Sequence, residues 1–255
     1  MNVAIAEGDA LLDNKKNKTP IVFDIVLLGF VLLFSGLVFF YYLYSFSPIK
    51  GNSMLNTIES GQCVLLQRRY YSLNRGDIIT IDVPTDEKEE SAEEAHILIK
   101  RVIGLEGDKI LFVKSQNGIY VDMYTCKAGQ NRFTLAEEKY ILEKMRWVDD
   151  PDSSLRKKIS IIEYKPTEKI TEIKLNETYA DSEKSALQTE ITKNCTTVPS
   201  DEIFFLGDNR NYSSDSRNYG TRPLNNIIGK VVKIIDRGST AEKFFRFMFN
   251  NYEST

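Results

Sequence analysis

The sequence predicts a mainly β domain behind a single N-terminal membrane-spanning helix. Three observations carry this. One long apolar run lies near the N-terminus, short β-type runs separated by turn signals follow it, and no second apolar run of comparable length exists. A chain of 255 residues holds one ordinary domain plus an anchor or an insert.

Residues 21–46 read IVFDIVLLGFVLLFSGLVFFYYLYSF, and after Asp24 no charge appears until Lys50. About 20 apolar residues cross a bilayer as a helix, and a lone span must satisfy its own backbone, which a helix does. Tyr41, Tyr42 and Tyr44 suit an interfacial belt at its end. A cleaved secretory signal, with an apolar region of about 7–15 residues, is shorter than this run and would need a small-x-small site, where Ser45-Phe46-Ser47-Pro48 stands. Lys15, Lys16 and Lys18 precede the span and only Lys50 follows closely, so the positive-inside rule makes residues 1–20 a cytoplasmic tail and places the rest outside.

Strands are expected at 63–66, 78–81, 97–103, 109–113, 118–121, 203–206 and 228–235, with turns at 74–77, 104–108 and Asn117-Gly118. Residues 47–114 and 198–237 are read as the β domain. Residues 85–94 form an acidic loop, and 115–197, rich in Lys, Glu, Asp and Ser, read as an insert or lid with a helix near 135–147. Cys126 and Cys195 bracket that insert. A disulfide between them is chemically permitted outside the membrane, but their distance is not readable from sequence. Cys63 opens an apolar run and reads as a small buried hydrophobe. Residues 238–255 form an aromatic, amphipathic tail too short to span, which either packs on the domain or lies on the membrane surface.

Composition narrows the chemistry. Net charge is −3 with no Lys/Arg stripe, so nucleic acid is not an expected partner. A single histidine and no C-x-x-C spacing give no credible metal cluster, and no Gly-rich phosphate loop appears, so neither metal nor cofactor is expected. A Ser-His-Asp arrangement would need His96. It precedes Lys100 by four residues on one candidate strand, about 13 Å away at about 3.3 Å per residue, so one serine cannot touch both. Lys100 itself lies between Ile97-Leu98-Ile99 and Arg101-Val102-Ile103. It is either a base made neutral by burial or an edge lysine with its amine in water. A dense polar loop, 206–217, follows the 203–206 strand, and its Asp208, Arg210, Asp215 and Arg217 are able to form a charge network that fixes it.

Four segments together resemble the bacterial type I signal peptidase family. Gly51-Asn52-Ser53-Met54-Leu55-Asn56-Thr57 is similar to its nucleophile box, and Arg75-Gly76-Asp77-Ile78-Ile79 to its Arg-Gly-Asp box. Ile99-Lys100-Arg101-Val102-Ile103-Gly104-Leu105-Glu106-Gly107-Asp108 is similar to the lysine box, and Gly207-Asp208-Asn209-Arg210-Asn211-Tyr212-Ser213-Ser214-Asp215-Ser216-Arg217 to the last box. The resemblance implies a fold of coiled antiparallel β-sheets, a membrane-bound serine endopeptidase and an acyl-enzyme. Ser53 would be the nucleophile, Lys100 the base and Ser213 the hydroxyl that orients the lysine, with Asp208, Arg210, Asp215 and Arg217 holding the loop against the lysine strand. It implies exported preproteins with small-x-small cleavage sites as substrates, and Ile49, Met54, Ile58, Leu98 and Ile99 as walls of shallow substrate pockets. The chain departs from the pattern at Asn56, where the family has proline, and at Gly51, where some members have a serine whose hydroxyl serves the oxyanion hole. With glycine there, as in Gram-positive-type members, the hole would rest on backbone N–H groups including that of Ser53. The alternatives are a catalytically silent tethered assembly factor, a specialised maturation peptidase for pilin or conjugation proteins, and a self-cleaving Ser-Lys regulator. The last would need a DNA-binding module where the span lies.

Overall fold

An apolar run with no polar face has nothing to direct it toward a core, and Thr19–Leu43 forms α1 with nearly all its described side chains exposed, Phe40 and Leu43 being half-buried. Within it, Ile21–Leu43 is long and apolar enough to cross a membrane. The structure, a computed structural model, describes residues 19–83, 96–115, 119–147, 161–162, 171–175, 177–178, 180 and 182–249. It divides into two units at Leu43/Tyr44.

The strands in chain order are β1 (Tyr44–Pro48), β2 (Cys63–Gln67), β3 (Ile78–Val83), β4 (His96–Gly104), β5 (Lys109–Lys114), β6 (Val121–Cys126) and β7 (Arg132–Leu135). Then follow β8 (Ile161–Ile162), β9 (Glu172–Lys174), α2 (Ser182–Asn194), β10 (Thr196–Thr197), β11 (Glu202–Leu206), α3 (Ser216–Tyr219), β12 (Arg222–Pro223), β13 (Ile227–Ile235) and α4 (Thr240–Met248). A seven-stranded antiparallel sheet runs β1-β2-β13-β3-β4-β11-β12. A six-stranded sheet runs β10-β5-β6-β7-β9, with β8 joining β5 in parallel. The mainly antiparallel β fold expected from the strand pattern is present.

Three expectations are corrected. The apolar run does not stay helical to Phe46: the Tyr-Ser-Phe-Ser alternation of β1 pairs with β2, and Phe46, 2 % exposed, is core. Burying such a ring contributes on the order of 2 kcal/mol, and Phe245 and Phe249 stack on it at 5.8 and 6.3 Å. Secondly, residues 135–147 hold no helix. Leu135 N–H bonds Thr171 O, Ala136 N–H bonds Met123 O, Val121 N–H bonds Met145 O and Trp147 N–H bonds Ile119 O, so sheet pairing at both ends overrides the helical periodicity. The helix of this region is α2 instead. Thirdly, the strand expected at 118–121 begins at Val121. Strands from within 115–197 complete the second sheet around β5.

The tail packs on the domain through α4, whose N-terminus is capped by Ser239 and whose Glu242 accepts from Gly238 N–H. Phe244 and Phe247 of the same helix stay exposed. Cys126 and Cys195 are free thiols at one apolar cluster around Phe133 and Ile191, and Cys63 is fully buried. The acidic loop at 85–94, the Asn117-Gly118 turn and the side chain of His96 lie outside what is described.

Candidate active site

Three chain segments meet at one place on the larger sheet. The first is the turn after β1. Leu55 N–H bonds Asn52 O, and Thr57 and Ile58 N–H bond Met54 O. Met54 and Ile58 are fully sunk into the core with Ile49, Val64, Leu66 and Ile99, so the intervening chain is pinned and Ser53 is left half-buried. Asn56 takes φ 88, a left-handed conformation that asparagine tolerates and proline cannot adopt.

The second segment is β4. Lys100 sits opposite Ile79 in the β3–β4 pairing and is 2 % exposed. Its Nζ donates to Ser53 Oγ at 2.9 Å and to Ile99 O at 2.8 Å. Burial strips water from the ammonium and pushes its pKa from an ordinary 10.5 down to about 8; the Arg217 charge adds to this, while Asp215 and Asp208 oppose it.

The third segment is the polar loop after β11. Asn209 N–H bonds Ser53 O at 3.0 Å, and its side-chain amide bonds Asn52 O at 3.0 Å. Gly207 makes this approach possible, because a Cβ there would fall 2.1 Å from Ser213 Oγ and 2.6 Å from Ser53 O. Gly207→Ala is therefore expected to push the loop off the nucleophile turn. A loss of about 1–3 kcal/mol in denaturant unfolding is the expected result, and a variant with an unchanged midpoint would contradict the packing.

The four charged loop residues do not pair as one network. Arg217 and Asp215, both fully buried, form a two-pronged pair at 2.8 Å, and Asp215 also caps α3 and accepts from Gly207 N–H. Burial pushes the Asp215 carboxyl up, but the Arg217 guanidinium and these hydrogen bonds outweigh it and hold it below the usual range. Asp208 instead takes Arg101 Nε and Nη2 at 2.8 and 2.6 Å and the Thr57 hydroxyl at 2.5 Å, joining the lysine strand to the nucleophile turn. Arg210 donates to Gly207 O and pairs with Glu138. The Arg75-Gly76-Asp77 turn is fastened by Arg75 to Asp108, which also accepts from Leu105 and Ala128 N–H.

Two expected positions differ. Ser213 is buried beside Gly207, and its hydroxyl makes no hydrogen bond to Lys100; the group it favours is the Asp215 carboxylate. Leu98 does not join Ile49, Met54, Ile58 and Ile99: successive residues of a strand face opposite ways, and Leu98 packs with Ile79, Ile81 and Phe205. Sequence reasoning passed over Thr57, Arg101, Glu138 and Tyr140. A second cation inside an apolar strand was a signal for Arg101; nothing in the sequence marks Glu138 or Tyr140. No group of carboxylates, histidines and cysteines fit for a metal occurs among the described residues.

The family model described as "Signal peptidase, peptidase S26" matches residues 22–235. The chain belongs to the signal peptidase family. It is a serine endopeptidase by that membership. Signal peptidase I of Buchnera aphidicola is 26 % identical over 251 residues, covering 88 % of this chain and 77 % of that one. Signal peptidase I of Bacillus caldolyticus is 29 % identical over 193 residues, covering 74 % and 78 %. A crystal structure of a signal peptidase I from Enterococcus faecalis aligns with 64 % of this chain and 100 % of that one, at 18 % identity and a TM-score of 0.33.

Proposed function

We propose that this signal peptidase is anchored by α1 and cleaves signal peptides from exported preproteins with a Ser53/Lys100 dyad. The observation that carries the reading is the 2.9 Å contact between Ser53 Oγ and a lysine 2 % exposed. Neutral Lys100 takes the Ser53 proton as Oγ attacks the scissile carbonyl, then gives it to the leaving amine. It next activates water to hydrolyse the acyl-enzyme. The Ser53 backbone N–H bonds no described group and is available to the oxyanion, in keeping with a glycine at position 51. Ser213, buried in the same loop, would orient the lysine once substrate settles the site.

Substrate placement follows from the sheet. β11 pairs only with the Arg101–Gly104 half of β4, which leaves the side of β4 nearest Lys100 open to an extended peptide. Ile49 and Ile99 keep a little surface over the buried Met54 and Ile58 and would give that peptide a shallow apolar floor suited to small side chains. The N-terminal lysines favour a cytoplasmic N-terminus and a catalytic unit on the outer face. The anchor then keeps the enzyme in the plane where a signal peptide's apolar segment lies, raising effective concentration.

Cleavage of a preprotein by wild type, Ser53→Ala and Lys100→Ala tests the dyad, and robust activity in either variant would sink it. The pH profile gives an independent check. Only the neutral lysine works, so kcat/KM should fall tenfold per pH unit below an apparent pKa of about 8. A limb near 10.5 would mean that Lys100 keeps its water.

A further inference from the structure

We infer that residues 136–147, the non-helical segment crossing from the second sheet, are a strap that positions the nucleophile turn, with Tyr140 as its central positioning residue. The inference rests on the peptidase reading above. Tyr140 meets all three segments of the site while touching neither Ser53 nor Lys100 by hydrogen bond. Its carbonyl accepts from Asn56 Nδ2 at 2.8 Å, three residues past Ser53. Its ring lies 4.2 Å from the guanidinium carbon of Arg101, the neighbour of Lys100 in β4. Its hydroxyl donates to Glu138, which pairs with Arg210 of the polar loop. Further along the strap, Arg146 N–H bonds Asn211 Oδ1, and Asn211 Nδ2 donates to Glu143 and to Lys144 O.

Two features make these contacts decisive for where the turn sits. The turn is pinned on its core side at Met54 and Ile58, but Asn56 is exposed with a left-handed φ of 88, and the side-chain bond it makes among the described residues is to the strap. The strap is backed by core at its ends, where Met145 is buried and Ala136 and Trp147 pack beside it, but less so between them. A cavity of about 240 Å³ lies beneath it, lined by Phe112, Val121, Met123 and Leu206, with Leu142 of the strap 64 % exposed. Between its sheet-paired ends, the strap is therefore placed by its polar contacts to Asn56, Arg101, Arg210 and Asn211. Arg101 and Asp208 already tie the turn to β4 through Thr57; Tyr140 closes the second side of that frame.

The test uses the full chain in detergent micelles, comparing wild type, Tyr140→Ala, Tyr140→Phe, Asn56→Gly and the Asn56→Gly/Tyr140→Ala double variant. Glycine is chosen at 56 because it accepts the same φ and removes only the donor. Preprotein cleavage should show kcat down about 10- to 100-fold in Tyr140→Ala with KM within about twofold, since misplacing a reacting group spares binding. Tyr140→Phe keeps the ring over Arg101 and loses only the hydroxyl bond to Glu138, which Arg210 still holds, and should stay near wild type. The two changes remove different contacts of the strap, the Asn56 Nδ2 bond to the Tyr140 carbonyl and the ring over Arg101, so the double variant should lose less than the product of the single losses. Hydrogen exchange at the Leu55, Thr57 and Ile58 amides should quicken in Tyr140→Ala, with β3 and β4 amides unchanged. Unchanged exchange in the turn, kcat within twofold of wild type, or losses that multiply would each overturn the strap. The exchange arm does not depend on cleavage: a wild type without peptidase activity would overturn the peptidase reading and leave the strap to be decided by exchange alone.

Discussion

Lys100→Met is expected to abolish cleavage and to make the protein more stable. Loss of the base should slow preprotein cleavage on the order of 10⁴-fold or more. The stability gain follows from the pKa. Unfolded Lys100 binds a proton below about 10.5 and folded Lys100 only below about 8, so between these values the unfolded chain binds more protons. Wild-type stability therefore rises with pH across that window, and below it Lys100 carries a full penalty on the order of 3 kcal/mol. Methionine fills similar space without a charge to desolvate. Allowing for the lost hydrogen bonds, a Tm higher by about 5 °C at pH 7 is expected, with the upward slope between pH 8 and 10.5 flattened. A methionine variant less stable than wild type, or one cleaving at more than about 1 % of the wild-type rate, would contradict the assignment.

Asp215→Ala should have the largest destabilising effect. Arg217 is fully buried, and without Asp215 its charge is uncompensated, which typically costs about 3–5 kcal/mol. The Gly207 N–H and the start of α3 lose their acceptor as well. Removing both charges in Asp215→Ala/Arg217→Met should recover much of the stability, since the remaining loss is packing. The milder Asp215→Asn reads the electrostatics alone. Asp215 raises the Lys100 pKa whereas Arg217 lowers it, so the acidic limb should move to lower pH in this variant. An unmoved limb would show that the pair does not act on the lysine, and an unfolding midpoint unchanged in Asp215→Ala would show that Arg217 is solvated.

Much of the site was legible locally. The β2, β3, β4, β5, β11 and β13 runs carry β-type residues between turn signals, and their positions agree with the structure to within a residue or two. Ser53, Lys100 and the polar loop stood out through the family boxes, each of which is a contiguous stretch. What escaped was relational. The helix expected over 135–147 is absent because its backbone is claimed at both ends by β6 and its neighbours, and no local count reveals a distant partner. Leu98 and Ile99 look equivalent in composition; the pleat sends them to different clusters.

The sequence by itself therefore determined an apolar helix long enough to cross a membrane, the mainly β character of the chain, its family and the boxes that hold Ser53 and Lys100. These properties reside in uninterrupted stretches whose hydrophobicity or residue order is readable in place. Only the tertiary structure decided that Lys100 is buried enough to lose its proton near pH 8. It also decided that Asp208 serves Arg101 and Thr57 while Arg210 serves Glu138, and that Tyr140 leans on all three segments. Desolvation and pairing depend on which residues distant in the chain come within a few ångströms, and for these groups that is set by the meeting of the turn after β1, β4, the loop after β11 and the strap.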